Sequence, residues 1–184
     1  MELGFRPLYL AGCAWAAVSV ALWVFAPGLL RGKLAGVIWH AHEMLWGFIA
    51  TIAVGFLLTA TSNWTGTNPL KGRALGALSL LWVLARVGYL VPGDLAFALA
   101  VTAEGLFFTG AAIALGRAIY GARNQRNYGV PLLVLALGGA DALFLLAAWQ
   151  GDYGRLMQHF NIGLLSIAIL ALLVDRRVIP FLAM

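Results

Sequence analysis

Long apolar runs, separated by short polar or turn-forming segments, dominate the chain. A helix needs ~20 apolar residues to cross about 30 Å of hydrocarbon, where lipid offers the backbone no hydrogen-bond partner. Between the runs lie segments that favour turns, such as Ala26-Pro27-Gly28, Asn68-Pro69-Leu70 and Val91-Pro92-Gly93. The pattern predicts an all-α fold, a polytopic membrane bundle of about six transmembrane helices, with spans at approximately 7–25, 37–61, 74–91, 95–120, 130–149 and 156–174.

The connections between the predicted spans are short, so consecutive helices are expected to be antiparallel neighbours. No stretch is long enough or polar enough to act as a linker between two domains. The sequence therefore predicts a single transmembrane helical domain over residues 1–184.

Composition supports a membrane protein and excludes several other classes. Of the 184 residues, 62% are hydrophobic and 10% are charged. In a soluble domain about a quarter of the residues are charged. The net charge is +5, but the basic residues are scattered between apolar runs and form no stripe that follows a phosphate backbone. The expected partner is the lipid bilayer and not nucleic acid. The single cysteine, Cys13, excludes an internal disulfide framework.

The basic residues also predict the orientation, because short cytoplasmic loops are enriched in lysine and arginine. One side of the predicted bundle holds eight of them and the other side three. We expect both termini to be cytoplasmic, on the side that holds Arg6, Lys71, Arg73, Arg117, Arg123, Arg126, Arg176 and Arg177, with Arg31, Lys33 and Arg155 on the extracytoplasmic side.

The three histidines are the first candidates for chemistry, because ionisable side chains within spans are costly and often functional. His40 and His42 lie near the outer start of the second span, and His159 lies near the outer start of the sixth. In the predicted orientation all three imidazoles lie at a similar shallow depth on the extracytoplasmic side. A shared metal or haem site requires this common depth. The structural alternative is that each histidine near the interface forms a hydrogen bond with water or with a loop carbonyl.

On a regular helix His40 and His42 point about 200° apart, so they are not expected to bind one metal together. One arrangement makes His42 and His159 opposing axial ligands of a haem, which leaves His40 and Met44, spaced i and i+4, as a nitrogen and a thioether for copper. The reverse assignment of His40 and His42 is equally compatible with the sequence. Arg155 is either a partner for haem propionates or an ordinary loop arginine.

Three charged residues lie deeper in the predicted bilayer. Arg86 is in the third span, Glu104 in the fourth and Asp141 in the fifth. An unpaired charge there costs several kcal/mol, so Arg86 is expected to pair with Glu104 or Asp141. The functional alternative is a proton path toward a redox centre.

Several segments, taken in order, resemble the NnrS family. They are Gly4-Phe5-Arg6-Pro7, Trp39-His40-Ala41-His42-Glu43-Met44, Asn63-Trp64-Thr65-Gly66 and Arg177-Val178-Ile179-Pro180-Phe181. The resemblance implies a multi-pass protein of the bacterial inner (plasma) membrane that binds haem b and copper and contributes to resistance to nitric oxide and nitrosative stress. Family members are about twice as long, so the chain is expected to correspond to an N-terminal half. It is either a natural short form that assembles with a copy of itself or with another subunit, or a truncated chain that lacks its second half.

Two other function classes remain open from the sequence. One is a proton-coupled membrane transporter that uses Arg86, Glu104 and Asp141, and the other is a non-catalytic scaffold of a respiratory membrane complex. The sequence contains no nucleotide-binding loop, catalytic triad or thiol site, so no catalytic residue is assigned and enzymatic activity is left undecided.

Overall fold

A computed structural model describes residues 5–182 of the protein, with side chains described for residues 6–175. Some residues on which the sequence predictions rest lie outside this description. They are Gly4 and the side chains of Phe5, Arg176 and the Arg177–Phe181 segment. Within residues 5–182 the structure is helical and contains no strand. The predicted fold class, an all-α membrane bundle of about six helices, is confirmed.

Six long helices follow the apolar runs of the sequence. Short loops connect them, with single turns of 3₁₀ helix at Pro27–Leu29 and Gln125–Asn127. The helices are α1 (Phe5–Phe25), α2 (Gly36–Thr65), α3 (Gly72–Gly88), α4 (Asp94–Gly121), α5 (Gly129–Gln150) and α6 (Tyr153–Leu182).

All of these helices except α3 are long and apolar enough to cross a membrane. Helix α3 has 17 residues, which corresponds to about 26 Å, and it ends in turns at 89–91 where the sequence predicted continued helix. Glycine ends α2 and α5: Gly66 and Gly151 both adopt the left-handed conformation, with φ of 70° and 71°, that closes a helix without a side-chain clash.

The helices differ strongly in how much of their surface is buried. Helix α2 is largely buried at the centre of the bundle, whereas α1 and α6 bury few of their residues and lie at the periphery. Outward-facing leucines of these two helices, among them Leu10 and Leu165, are exposed. Such faces are suited to lipid, because apolar side chains there meet hydrocarbon and the backbone is satisfied inside each helix.

Candidate functional site

Six polar side chains from four helices meet inside the bundle, and we call them the polar cluster. Its members are 0–4% exposed. Helices α2 to α5, with the turn after α3, contribute them: His42 and Glu43 from α2, Arg86 from α3, Tyr89 just after α3, Glu104 from α4 and Asp141 from α5.

A π-helical segment in α2 begins within the polar cluster. Residues Gly36–His42 are α-helical, Glu43–Ala50 are π-helical, and α-helix resumes at Thr51. The Thr51 hydroxyl donates to the carbonyls of Gly47 and Trp46, at 3.0 and 3.2 Å. Because a π-helical turn holds more residues than an α-helical turn, it changes the direction of the side chains that follow it. Such segments occur frequently at functional sites.

The space for the polar cluster depends on Gly47 in this π-helical segment. A Cβ atom at Gly47 would lie 2.6 Å from Nη1 of Arg86 and 2.7 Å from Oε2 of Glu43. The Gly47 carbonyl also accepts a hydrogen bond from the indole of Trp82 in α3. Glycine at this position therefore lets α2 and α3 approach each other closely enough for their charges to pair.

His42 is fully buried and contacts carboxylates through both ring nitrogens. Nδ1 lies 2.9 Å from Oε1 of Glu43, and Nε2 lies 3.0 Å from Oδ1 of Asp141. Nε2 is also 3.5 Å from Oε2 of Glu104. The imidazole thus joins α2 to α4 and α5.

Arg86 forms ion pairs with two of the carboxylates. Its Nη1 donates to Oε2 of Glu43 at 2.8 Å, and its Nη2 donates to Oε1 of Glu104. Oε2 of Glu43 also accepts a hydrogen bond from the indole N–H of Trp15 in α1. The Nε of Arg86 is buried and makes no hydrogen bond within the described part of the chain. The sequence predicted that Arg86 pairs with Glu104 or Asp141, and the structure shows the ion pair with Glu104 and a second one with Glu43.

Tyr89 completes the surroundings of Glu104. Its hydroxyl donates to Oε2 of Glu104 at 2.7 Å, and its ring stands edge-on to His42, with centroids 5.0 Å apart. Glu104 therefore has both oxygens hydrogen-bonded and lies in a fixed position beside the imidazole.

His40 and His159, which we call the outer histidines, make different contacts from those of His42. Each is half-buried, and each has a buried Nδ1 that makes no hydrogen bond with any residue that the structure describes. The ring of His40 stacks on Trp23 of α1, with centroids 4.1 Å apart and planes 9° from parallel. His42 faces α4 and α5, so the two imidazoles of α2 contact different helices, as their 200° separation suggests.

His159 lies on a face of α6 that packs against α2. One turn further along α6, a Cβ at Gly163 would lie 2.6 Å from the Trp46 ring. The next residue, Phe160, also contacts the Trp46 ring edge-on. His159 therefore lies where the peripheral helix meets the central one.

The other two predicted ligands lie near the outer histidines in sequence. Met44 is half-buried in the π-helical segment. Arg155 is exposed, and its Nε pairs with Oδ2 of Asp152 at 3.3 Å, while its backbone N–H donates to the same carboxylate. No propionate partner is needed to explain this local pair at the start of α6.

The NnrS family model, described as NnrS protein, matches residues 1–184 of this chain, which is its entire length. The chain belongs to the NnrS family. Comparison with curated proteins and with solved structures gave no match. The family likeness noted in the sequence is thus shown, whereas cofactor identity has to be argued from the residues.

The donor groups of this NnrS chain differ in how well they fit a haem iron. An axial ligand needs a free imidazole nitrogen. Both nitrogens of His42 contact carboxylates, whereas His40 and His159 each have an unpartnered, buried ring nitrogen. Each outer histidine therefore has a ring nitrogen available as a ligand, whereas His42 has one only if a carboxylate contact is given up.

Two members of the NnrS polar cluster, Glu43 and Tyr89, and the hydrogen-bond partner of Glu43, Trp15, were not assigned from the sequence. Glu43 was treated only as part of the Trp39–Met44 motif, although an acidic residue within a predicted span is itself a signal. Tyr89 and Trp15 carry no comparable mark, because tyrosine and tryptophan are also common as interfacial residues of membrane helices.

Proposed function

We propose that this protein is a haem-binding protein of the bacterial inner membrane that contributes to tolerance of nitric oxide, with copper as a further metal. Membership of the NnrS family supports the proposal. The observation that carries it in this chain is the unpartnered, buried Nδ1 of His159. A buried polar nitrogen without a partner costs free energy, and a metal ligand bond removes that cost.

His159 would hold the haem iron through a ring nitrogen in this proposal. Arg155, one turn before His159 on α6 and exposed at the predicted outer surface, would bind a propionate in exchange for Asp152. The sequence placed His42 opposite His159, but the carboxylate contacts of His42 favour leaving it in the polar cluster. Haem iron, when bound, supplies a site at which nitric oxide binds.

Copper would be held by His40 and Met44. His40 has a free buried Nδ1, and the thioether of Met44 is a soft donor that suits copper(I). The stacking of His40 on Trp23 fixes the imidazole plane before any metal binds. Replacement of His40 with alanine is therefore expected to lower copper content and leave haem content unchanged.

Haem binding is tested by the visible spectrum of protein purified from cells that are supplied with a haem precursor. We expect a Soret band in the unmodified chain and in Gln158→Ala, an exposed neighbour of His159, and a loss of at least most of the band in His159→Ala. A chain that shows no Soret band, or a His159→Ala variant that keeps all of it, contradicts the proposal.

The contribution to nitric oxide tolerance is tested by growth. A strain without the gene should grow more slowly than its parent under a nitric oxide donor and equally well without it. The unmodified gene should restore growth, and the His159→Ala gene should not. Equal growth of all strains would contradict the role.

The other function classes give different outcomes. A proton-coupled transporter would move protons in proteoliposomes in a way that depends on Asp141 and ignores haem. A scaffold would co-purify with a respiratory complex even when all three histidines are replaced. Orientation with both termini cytoplasmic, and assembly with a second half or a second copy, stay predictions from the sequence.

A further inference from the structure

The polar cluster carries more negative than positive formal charge. It holds three carboxylates, from Glu43, Glu104 and Asp141, and one guanidinium, from Arg86. With a neutral His42 two negative charges are left over, and with a protonated His42 one is left over. Because a net charge among buried groups in a membrane is costly, we expect something to neutralise the polar cluster.

The hydrogen bonds around His42 favour a metal ion for this role. If Nδ1–H donates to Oε1 of Glu43, the ring is neutral and Nε2 has a free lone pair. That lone pair then faces carboxylate oxygens of Asp141 and Glu104, which offer no proton when ionised. A histidine that donates one nitrogen to a carboxylate and offers the other to a metal is a common arrangement in metalloproteins.

The distances also suit one ion between these three groups. Nε2 of His42 lies 3.0 Å from Oδ1 of Asp141 and 3.5 Å from Oε2 of Glu104, and all three ligand atoms lie within 4.8 Å of one another. Ligands about 2.0–2.2 Å from a tetrahedral or octahedral ion stand about 2.8–3.6 Å apart. Small side-chain movements would complete the coordination.

We propose that His42, Glu104 and Asp141 bind one divalent first-row metal ion, separate from the haem proposed at His159. A dication leaves the polar cluster formally neutral when His42 is neutral. The other members then have supporting roles. Glu43 fixes the His42 tautomer, while Arg86 and Tyr89 hold Glu104 in place.

The donor set indicates which ions the site accepts. One imidazole and two carboxylates suit iron(II), manganese(II) or zinc(II), whereas copper(I) prefers thiolate and thioether donors. The polar cluster contains no sulfur atom among its members. The site is therefore distinct from the copper ligands proposed at His40 and Met44.

Metal content of the purified chain tests the proposal. The protein is treated with a chelator, reloaded with Mn²⁺ or Zn²⁺, freed of excess metal, and measured by elemental mass spectrometry, so that haem iron is not counted. We expect about one tightly bound ion per chain in the unmodified protein. The control variant Asp94→Asn, which removes an exposed carboxylate of α4, should bind the same amount. Asp141→Asn and Glu104→Gln should lose the ion.

Two further measurements guard against a loss of folding. Asp141→Asn should keep the helical circular dichroism and the elution volume of the unmodified chain, and it should no longer gain thermal stability when metal is added. Glu43→Gln keeps an acceptor oxygen beside His42, so we expect it to bind metal about 10–100-fold more weakly without losing it.

The contrary results are equally specific. If the unmodified chain takes up no ion, or if Asp141→Asn retains the same amount, two protons and not a metal ion neutralise the polar cluster, and the proposal is wrong. X-ray absorption that shows sulfur bound to the metal would also overturn it. His159→Ala should keep the ion and Asp141→Asn should keep haem, so failure of this site and failure of the haem proposal are distinguishable.

Discussion

The polar cluster and the outer histidines are two polar regions of one membrane bundle, and they are built in opposite ways. In the polar cluster, ion pairs and hydrogen bonds join groups on α2, α3, α4 and α5. The outer histidines instead each keep a buried ring nitrogen without a partner, at the contacts of α2 with α1 and of α6 with α2.

Because of this difference, the polar cluster and the outer histidines are expected to have separate roles, although the sequence predicted that all three histidines lie at one depth. Buried charges that are paired with one another hold helices in position, and losing one partner leaves the other uncompensated. An unpartnered imidazole contributes little to the fold and is available to an incoming ligand. Stability should therefore depend on the polar cluster, and haem binding on His159.

Arg86→Met is expected to have the largest effect on stability. It leaves Glu43 and Glu104 buried without their shared cation, which costs on the order of 3–5 kcal/mol. We expect little folded protein in detergent, as measured by size-exclusion yield and thermal unfolding. Arg117→Met, which removes an exposed arginine of α4, should behave like the unmodified chain. Equal stability of the two variants would show that Arg86 does not hold the polar cluster together.

Gly47→Ala tests the packing of the polar cluster without removing a charge. The new Cβ would meet the Arg86 guanidinium and the Glu43 carboxylate below 3.0 Å, and we expect a loss of about 1–3 kcal/mol in the free energy of unfolding. Gly139→Ala is the matched control, because a Cβ there meets nothing within 4 Å. A Gly47→Ala chain as stable as Gly139→Ala would mean that α2 and α3 are further apart than the structure shows.

Tyr89→Phe removes a single hydrogen bond from the polar cluster. Glu104 keeps its ion pair with Arg86, so the expected loss is about 1 kcal/mol, measured by denaturant unfolding in detergent. A loss as large as that of Arg86→Met would place Tyr89 among the groups on which folding depends.

His159→Leu is expected to have the smallest effect on stability. It removes an unpartnered buried nitrogen and keeps apolar volume at the contact between α6 and α2, so haem-free protein should change by less than about 0.5 kcal/mol. Thermal unfolding of haem-free samples measures this. A loss above about 2 kcal/mol would show that His159 holds a structural hydrogen bond after all.

The bundle was predictable from the sequence because each span is marked by its own apolar length and by turn residues at its ends. Gly66 and Gly151, for example, end helices where the local sequence permits a left-handed residue. The π-helical segment was not predictable, since Glu43–Ala50 carries no sequence mark and its geometry depends on packing against α1 and α3. The end of α3 also differs, because residues 89–91 form turns instead of helix.

The polar cluster was predictable only in part. Burial cost alone predicted that Arg86 pairs with Glu104 or Asp141, and the structure shows the pair with Glu104. The same argument could not connect His42 to Asp141, because which neighbouring helix a side chain faces depends on the rotation of α2, and the hydropathy pattern does not give that rotation. The partners of Glu43 were unpredictable for the same reason, because Arg86 and Trp15 lie on two different helices.

Haem per chain, determined side by side in Asp141→Asn and His159→Ala, tests most directly whether the two regions are separate. The account predicts that Asp141→Asn retains the haem of the unmodified protein and that His159→Ala loses it. Loss of haem in Asp141→Asn together with full haem in His159→Ala would place the haem in the polar cluster and contradict the account.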